Sequence, residues 1–297
     1  MNNLSRLSKK NVAILGGSLP MLLLAYFLNN KDINVKLLDN SDRIGGAWKK
    51  FKFKNIDIRK QTNVVVPINK KEETNHLNIN MFLKKNFDIK ISRIKDKIIT
   101  PYKSENKFSY NFDHFLKKVP KKKILKKLTV KKIEIIKNGK IRINGKYLFD
   151  HVFMPTYFGI DRINTKNKII KIDNTIIQSE HVVAIIKSDL FNGIYYSDFF
   201  NNFFDRVQFI KQSKFFTFSA RITKDKKGSN SKIILKELEK IFQKNQILFF
   251  KKFKYKNFYR NHNQILKLKK LDKYKSFKYM NTQSLLSFLT QTIKYLR

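Results

Sequence analysis

Residues 11–30 read NVAILGGSLPMLLLAYFLNN: a short apolar run, two glycines, a serine and a proline, then a longer apolar run closed by two asparagines. Few folds admit that order. Val12–Leu15 is a short aliphatic run with the length of a buried strand rather than a helix. Gly16-Gly17-Ser18 reads as a tight turn and Leu19–Leu28 as a helix, with Pro20 tolerated in its first turn. Ile33–Leu38 is a second aliphatic run, and it closes on an acid, Asp39. A strand, a helix and a second strand in this sequence predict a parallel pair, since parallel neighbours are joined through a crossover.

The same stretch can be read as an export signal, with a basic leader through Lys10 and an apolar stretch from Val12 to Leu28. Gly16, Gly17, Ser18 and Pro20 interrupt that stretch, and Asn-Asn-Lys-Asp follows Leu28 where a cleavage site would need small residues. The strand–turn–helix–strand reading also explains Asp39. It lies about 20 residues past the glycines, where a dinucleotide-binding turn places the carboxylate that takes the ribose hydroxyls. In the G-x-G-x-x-G register Gly16 is the first glycine, Ser18 replaces the second and Met21 the third. Serine adds a small group able to donate to phosphate. Methionine at the third place is expected to press the helix away from the strand.

Directly after the second strand comes DNSDRIGGAW, Asp39–Trp48. An acid, an arginine and a glycine pair in this spacing resemble the E-x-x-x-R-x-G-G motif of the flavin-containing amine oxidase, protoporphyrinogen oxidase and UDP-galactopyranose mutase superfamily. The resemblance implies FAD as cofactor. By position, Asp39 replaces the glutamate on the adenosine ribose, Arg43 is the motif arginine near the phosphates, and Gly45-Gly46 lets the chain pass close to the cofactor. The implied cofactor-binding set is Gly16, Gly17, Ser18, Asp39, Arg43, Gly45, Gly46 and Trp48. Four of the nine glycines of the chain fall in these two motifs.

The implied fold is α/β: a Rossmann-like FAD-binding domain with a parallel sheet, interleaved with an antiparallel-sheet α+β substrate domain. On that reading, residues 9–66 and 125–174 form the FAD-binding domain, 67–124 and 175–274 the substrate or cap domain, and 275–297 a C-terminal helix returning to the cofactor. FKFKNIDIR (Phe51–Arg59) alternates as a strand, and TNVVVP (Thr62–Pro67) stands where relatives carry the loop facing the flavin ring. Residues 128–155 hold alternating strands, hairpin-type Asn138-Gly139 and Asn144-Gly145 turns, and a hydrophobic strand ending in Pro155, as in a meander returning to the parallel sheet. Three more strand-like runs, HVVAII, FFDRVQFI and FFTFSARIT, predict an antiparallel sheet, followed by a helix over 232–244. The final helix is expected to be capped by Asn281 or Thr282, and FKYM (Phe277–Met280) occupies the place of the superfamily's glycine motif.

Lysine and arginine number 64 against 22 acids, a net charge of +42. Such a charge suits anionic partners by steering. Only ten of the cations are arginine, and the lysines are spread over the whole length, which is also what a solvated, lysine-rich surface gives. The run Lys117–Lys132 is interrupted by Ile124, Leu125, Leu128 and Val130 and reads as a strand or loop rather than a nucleic-acid arm. The absence of cysteine excludes disulfides, thiolate catalysis and cysteine-ligated metals. The five histidines show no metal-binding spacing.

These features predict an FAD-dependent oxidoreductase or flavin-dependent mutase, cytoplasmic and without a metal. Its substrate would be small and anionic, such as a nucleotide sugar or isoprenoid diphosphate, a membrane surface is left open as a partner, and nucleic acid is disfavoured. No side chain stands out as catalytic. The alternative is a degenerate FAD fold acting as a scaffold or binding protein, and the third reading is a basic nucleic-acid binder.

Overall fold

The computed structural model describes residues 3–40, 50–54, 56–59, 64–65, 70–93, 98–99, 108–173, 175–187, 194–212, 215–258, 260–280, 282 and 284–296. A short helix α1 (Asn3–Leu7) leads into strand β1 (Asn11–Leu15), helix α2 (Leu19–Asn29) and strand β2 (Asn34–Asp39). β1 and β2 pair in parallel over five residues, from Asn11↔Asn34 to Leu15↔Leu38. The expected order is therefore present, with boundaries shifted by a residue.

β1 is the centre of a five-stranded parallel sheet. On one side lie β2 and then residues Leu125–Lys127; on the other lie His151–Pro155 and then Phe277–Met280. Val12, Ala13, Ile14 and Leu15 are all fully buried, as a strand covered on both faces must be. Val12 and Ile14 face a core made with α2, with helix α3 (Lys70–Phe87) and with the C-terminal helix Leu285–Leu296. Ala13 and Leu15 face a second core against a five-stranded sheet. That sheet contains the expected meander, Lys132–Ile135, Ile141–Ile143 and Tyr147–Phe149, and adds Arg162–Asn164 and Ile169–Lys171. The molecule here is thus three layers: helices, parallel sheet, meander sheet.

Met21 stands fully buried in the helix-side core. Met21 is one of eight buried residues of the helix, so the methionine at the third-glycine place is absorbed as core.

The predicted antiparallel sheet is present and wider than its three sequence signals, with Ile98–Ile99 added in parallel at one edge. Its order is Ile247–Phe258, Ile176–Ile186, Phe215–Ile222, Phe204–Gln212, Ile194–Phe199 and Ile98–Ile99. One face packs on Ile234 and Leu238 of the helix Ser231–Glu239, and the other carries Val183 and Ile185 against Ile58. The helix expected over 232–244 ends at Glu239. Phe242 still reaches the core, through a turn in which its amide donates to the Leu238 carbonyl at 2.8 Å. No helix among the described residues is long and apolar enough to cross a membrane.

The C-terminal helix begins later than expected. Its cap is Ser284, whose hydroxyl accepts from the Ser287 amide at 3.0 Å, while the Thr282 amide donates instead to Thr156 Oγ1 at 3.1 Å. Asn281 lies outside the described residues. Phe277–Met280 is the edge strand of the parallel sheet.

Candidate functional site

β1, β2, the return strand His151–Pro155 and the edge strand Phe277–Met280 are all parallel, so their carboxyl ends meet along one edge of the sheet. The chain leaves β1 for β2 on one side and returns on the other through His151–Pro155, which makes the gap between β1 and the return strand the topological switch point. Open α/β sheets bind ligands outside that point. The segments that flank it are the glycine turn after β1 and residues 156–158 after the return strand.

The turn is built by its sequence. Gly16 has φ +83°, in the left-handed region where a β-carbon is costly, and its amide donates to the Leu38 carbonyl at 2.8 Å. Gly17 then donates its amide to Asp39 Oδ2 at 2.5 Å. One acid at the tip of β2 thereby pins the turn after β1, across 22 residues of sequence. Gly16 and Gly17 are buried, Asp39 is half-buried and Ser18 is exposed.

Ser18 is the N-cap residue of α2, and its side chain makes no capping hydrogen bond. Leu22 donates to the Ser18 carbonyl at 2.9 Å, which closes the first helical turn. The amides of Leu19 and Met21 precede that bond and have no acceptor from the helical pattern, and Pro20 has no N–H to place. Leu19 and Met21 are themselves buried, so the helix start shows solvent the Ser18 hydroxyl and the positive end of the helix dipole, a pair suited to a phosphate.

On the other side of the switch point, Phe158 covers Gly16. A β-carbon built on Gly16 would fall 3.2 Å from Phe158 Cδ2 and 3.8 Å from Pro155 Cγ. Phe158 is itself held through its carbonyl, which accepts from Arg260 Nη2 at 2.6 Å, while Nη1 of the same guanidinium donates to the Asp173 carbonyl at 2.6 Å. Burial pulls the Arg260 pKa down from its ordinary value. Thr156, fully buried, joins the return strand to the edge strand: its Oγ1 accepts from Tyr279 Oη at 3.0 Å and from the Thr282 amide, and donates to the Met280 carbonyl at 3.3 Å.

The structure brings Gly16, Gly17, Ser18 and Asp39 together as one unit. Arg43, Gly45, Gly46 and Trp48 lie outside the described residues. Thr156, Phe158 and Arg260 carry no signal in the sequence beyond the end of a strand at Pro155 and the scarcity of arginine. The residues present fit the adenosine diphosphate half of a dinucleotide in part: the Ser18 hydroxyl at a helix start and a carboxylate at the tip of the second strand suit it, while Gly16 lies under Phe158.

No family model matches the chain, and no curated protein sequence matches it either. Solved structures do match, with TM-scores of 0.55–0.59. A protein from Exiguobacterium sp. 255-15 provisionally named a protoporphyrinogen oxidase superposes at a TM-score of 0.59 with 10% identity, over 97% of this chain and 98% of its own. A putrescine oxidase triple mutant redesigned in its cofactor binding gives 0.59 with 8% identity, over 96% and 98%. A fatty acid isomerase from P. acnes that produces CLA gives 0.55 with 7% identity, over 96% and 97%. At these identities the likeness is one of fold, and the chain shares the mixed α/β, Rossmann-like fold of these proteins.

Proposed function

We propose that the chain binds FAD along the carboxyl edge of the parallel sheet and acts as a flavin-dependent oxidoreductase on a small anionic substrate. The observation that carries this reading is the bond from the Gly17 amide to Asp39 Oδ2, which ties the acid to the turn beside the switch point. Its support in sequence is the D-x-x-x-R-x-G-G run that begins at the same Asp39.

Bound there, FAD supplies hydride or electron transfer at its ring, which is the cofactor's chemistry rather than the protein's. The chain's part is to hold and orient. Asp39 would take the ribose hydroxyls with the carboxylate edge that the turn leaves to it. Ser18 at the start of α2 would meet the diphosphate, with Arg43 as its counter-charge. Gly45, Gly46 and Trp48 would line the next stretch of the cofactor. The net charge of +42 raises the local concentration of phosphorylated substrates, such as a nucleotide sugar or an isoprenoid diphosphate, and disfavours amines.

A second reading rests on one observation. Phe277–Met280, in the place of the superfamily's glycine motif, is hydrogen-bonded as a strand and leads into the C-terminal helix without a glycine turn. A fold that keeps the turn after β1 and loses this one suits a scaffold that no longer catalyses.

The visible absorption spectrum of the purified protein, before and after adding FAD, separates the two. Flavin bands that are retained and that weaken in Asp39→Ala support the cofactor site. A colourless protein that takes up no FAD overturns it and leaves the scaffold reading.

A further inference from the structure

The opposite, amino-terminal edge of the parallel sheet carries a different feature. Lys10 precedes β1, Asp150 precedes the return strand and Ser276 precedes the edge strand, and beside them three depressions of about 610, 470 and 330 Å³ adjoin one another. The first two share Lys137, Asn138 and Lys166; the second and third share Lys10 and Lys275. Together they form a trough running from the meander sheet to α1.

The trough is cationic because of the fold and not because of a basic run in the sequence. Lys10, Lys137, Lys166, Lys273 and Lys275 come from four separate segments, all are exposed, and none has a carboxylate partner among the described residues. The acids nearby are already engaged. Glu134 pairs with Lys132 at 2.6 Å, Asp150 accepts from the Asn11 amide at 2.9 Å, and Asp272 holds Lys278 at 2.7 Å and the Tyr279 amide at 2.8 Å. Uncompensated like charges gathered in a concave surface are a site for a polyanion.

The chemistry of the lining narrows the occupant. Its free cations are mainly lysines, point charges without the planar fork that reads base edges, so phosphates are contacted without sequence preference. The cations sit in linked hollows rather than on a projecting face, which suits a flexible strand better than a flat lipid surface. Half-buried Tyr274 lines the central hollow with Lys273 Nζ 5.3 Å from its ring centroid, which sets an aromatic ring beside a cation as backbone-tracking grooves do. We infer that this trough binds single-stranded nucleic acid through its phosphate backbone. The inference is independent of the flavin reading, since trough and glycine turn lie on opposite edges of the sheet.

The test is fluorescence anisotropy of the full chain with a labelled oligodeoxythymidylate of roughly 20 nucleotides over a salt series, with far-UV circular dichroism to confirm folding. The trough variant is Lys10→Glu/Lys166→Glu/Lys275→Glu. The control, Lys84→Glu/Lys85→Glu/Lys90→Glu, changes net charge equally at exposed positions on α3 and the strand after it. The inference requires salt-dependent binding in the unaltered chain, a loss of about tenfold or more with a shallower salt slope in the trough variant, and a control within about twofold. An equal loss in both variants would show diffuse charge only and overturns the inference, as do no binding at low salt and a preference for phosphatidylserine vesicles over the oligonucleotide.

Discussion

Phe158 occupies the space that a side chain on Gly16 would need: a β-carbon there meets Phe158 Cδ2 at 3.2 Å and Cε2 at 3.6 Å. Two separate penalties therefore fall on Gly16→Ala. The left-handed backbone, φ +83°, costs about 1–2 kcal/mol for any residue with a β-carbon, and the ring contact adds to it. The double variant Gly16→Ala/Phe158→Ala should recover the contact share and keep the backbone share. A urea-denaturation double-mutant cycle reads the difference, and strict additivity would show that the ring is not what confines Gly16.

His151 makes stability acid-sensitive. Burial first, then the cations Lys10 and Lys278, push its pKa down to about 3, so the folded chain holds it neutral. The unfolded chain protonates near pH 6.5. The unfolded state therefore binds the extra proton as pH falls, and stability present above pH 6.5 is lost progressively toward pH 3. Between pH 7 and pH 5 the loss from this one group is about 2 kcal/mol. His151→Gln should flatten that part of the pH profile of chemical denaturation, leaving a slope from His181, which burial holds down to about 4. An unchanged profile would refute the assignment.

Gln208 is 1% exposed in its sheet, and among the described residues neither its amide nitrogen nor its oxygen has a hydrogen-bond partner. A buried amide left unpaired costs about 1–3 kcal/mol. Gln208→Met keeps the length and removes the polar group, and it is expected to raise the thermal midpoint. Gln208→Glu, which adds a charge at the same place, is expected to lower it by more. Calorimetry of the two variants gives both signs.

Glu72 joins two helices through its carboxylate. Buried in the first turn of α3, its Oε1 accepts from Ser284 Oγ at 2.6 Å and Ser287 Oγ at 2.7 Å, at the start of the C-terminal helix. Glu72→Ala removes the charged acceptor of both hydroxyls and should cost about 2–3 kcal/mol. Ser284→Ala removes a hydrogen bond and the helix cap together, so it should cost more than Ser287→Ala. Hydrogen exchange would then show residues 285–290 opening before the parallel sheet does.

The parallel core was legible because its signals are local: a short aliphatic run, a glycine turn, a helix and an acid fall within residues 11–39. The hairpin asparagine–glycine pairs gave the meander for the same reason, a turn type with a fixed residue demand. What stayed hidden was set by tertiary contact. α3 has weak amphipathic patterning, with Leu77 and Met81 exposed, and its place depends on Glu72 meeting serines over 200 residues away. The edge strand Phe277–Met280 is four residues long and is a strand only because the return strand stands beside it. At the site, Asp39 and the glycines were readable from spacing, whereas Phe158 and Arg260 act through a missing β-carbon and two carbonyls, which leave no pattern in a sequence.

The edge strand also fixes an order of events during synthesis. β1 and β2 emerge early and can pair at once, but the return strand His151–Pro155 keeps one side unpaired until residues 277–280 leave the ribosome, 124 positions after Thr156 for the bond to Met280. Throughout that interval the nascent chain exposes a row of open peptide groups on a largely apolar strand that the folded protein buries, the kind of edge that recruits other chains. Slow translation of residues 156–276 should therefore favour aggregation over folding, and a separately supplied peptide carrying the last strand and helix should relieve it.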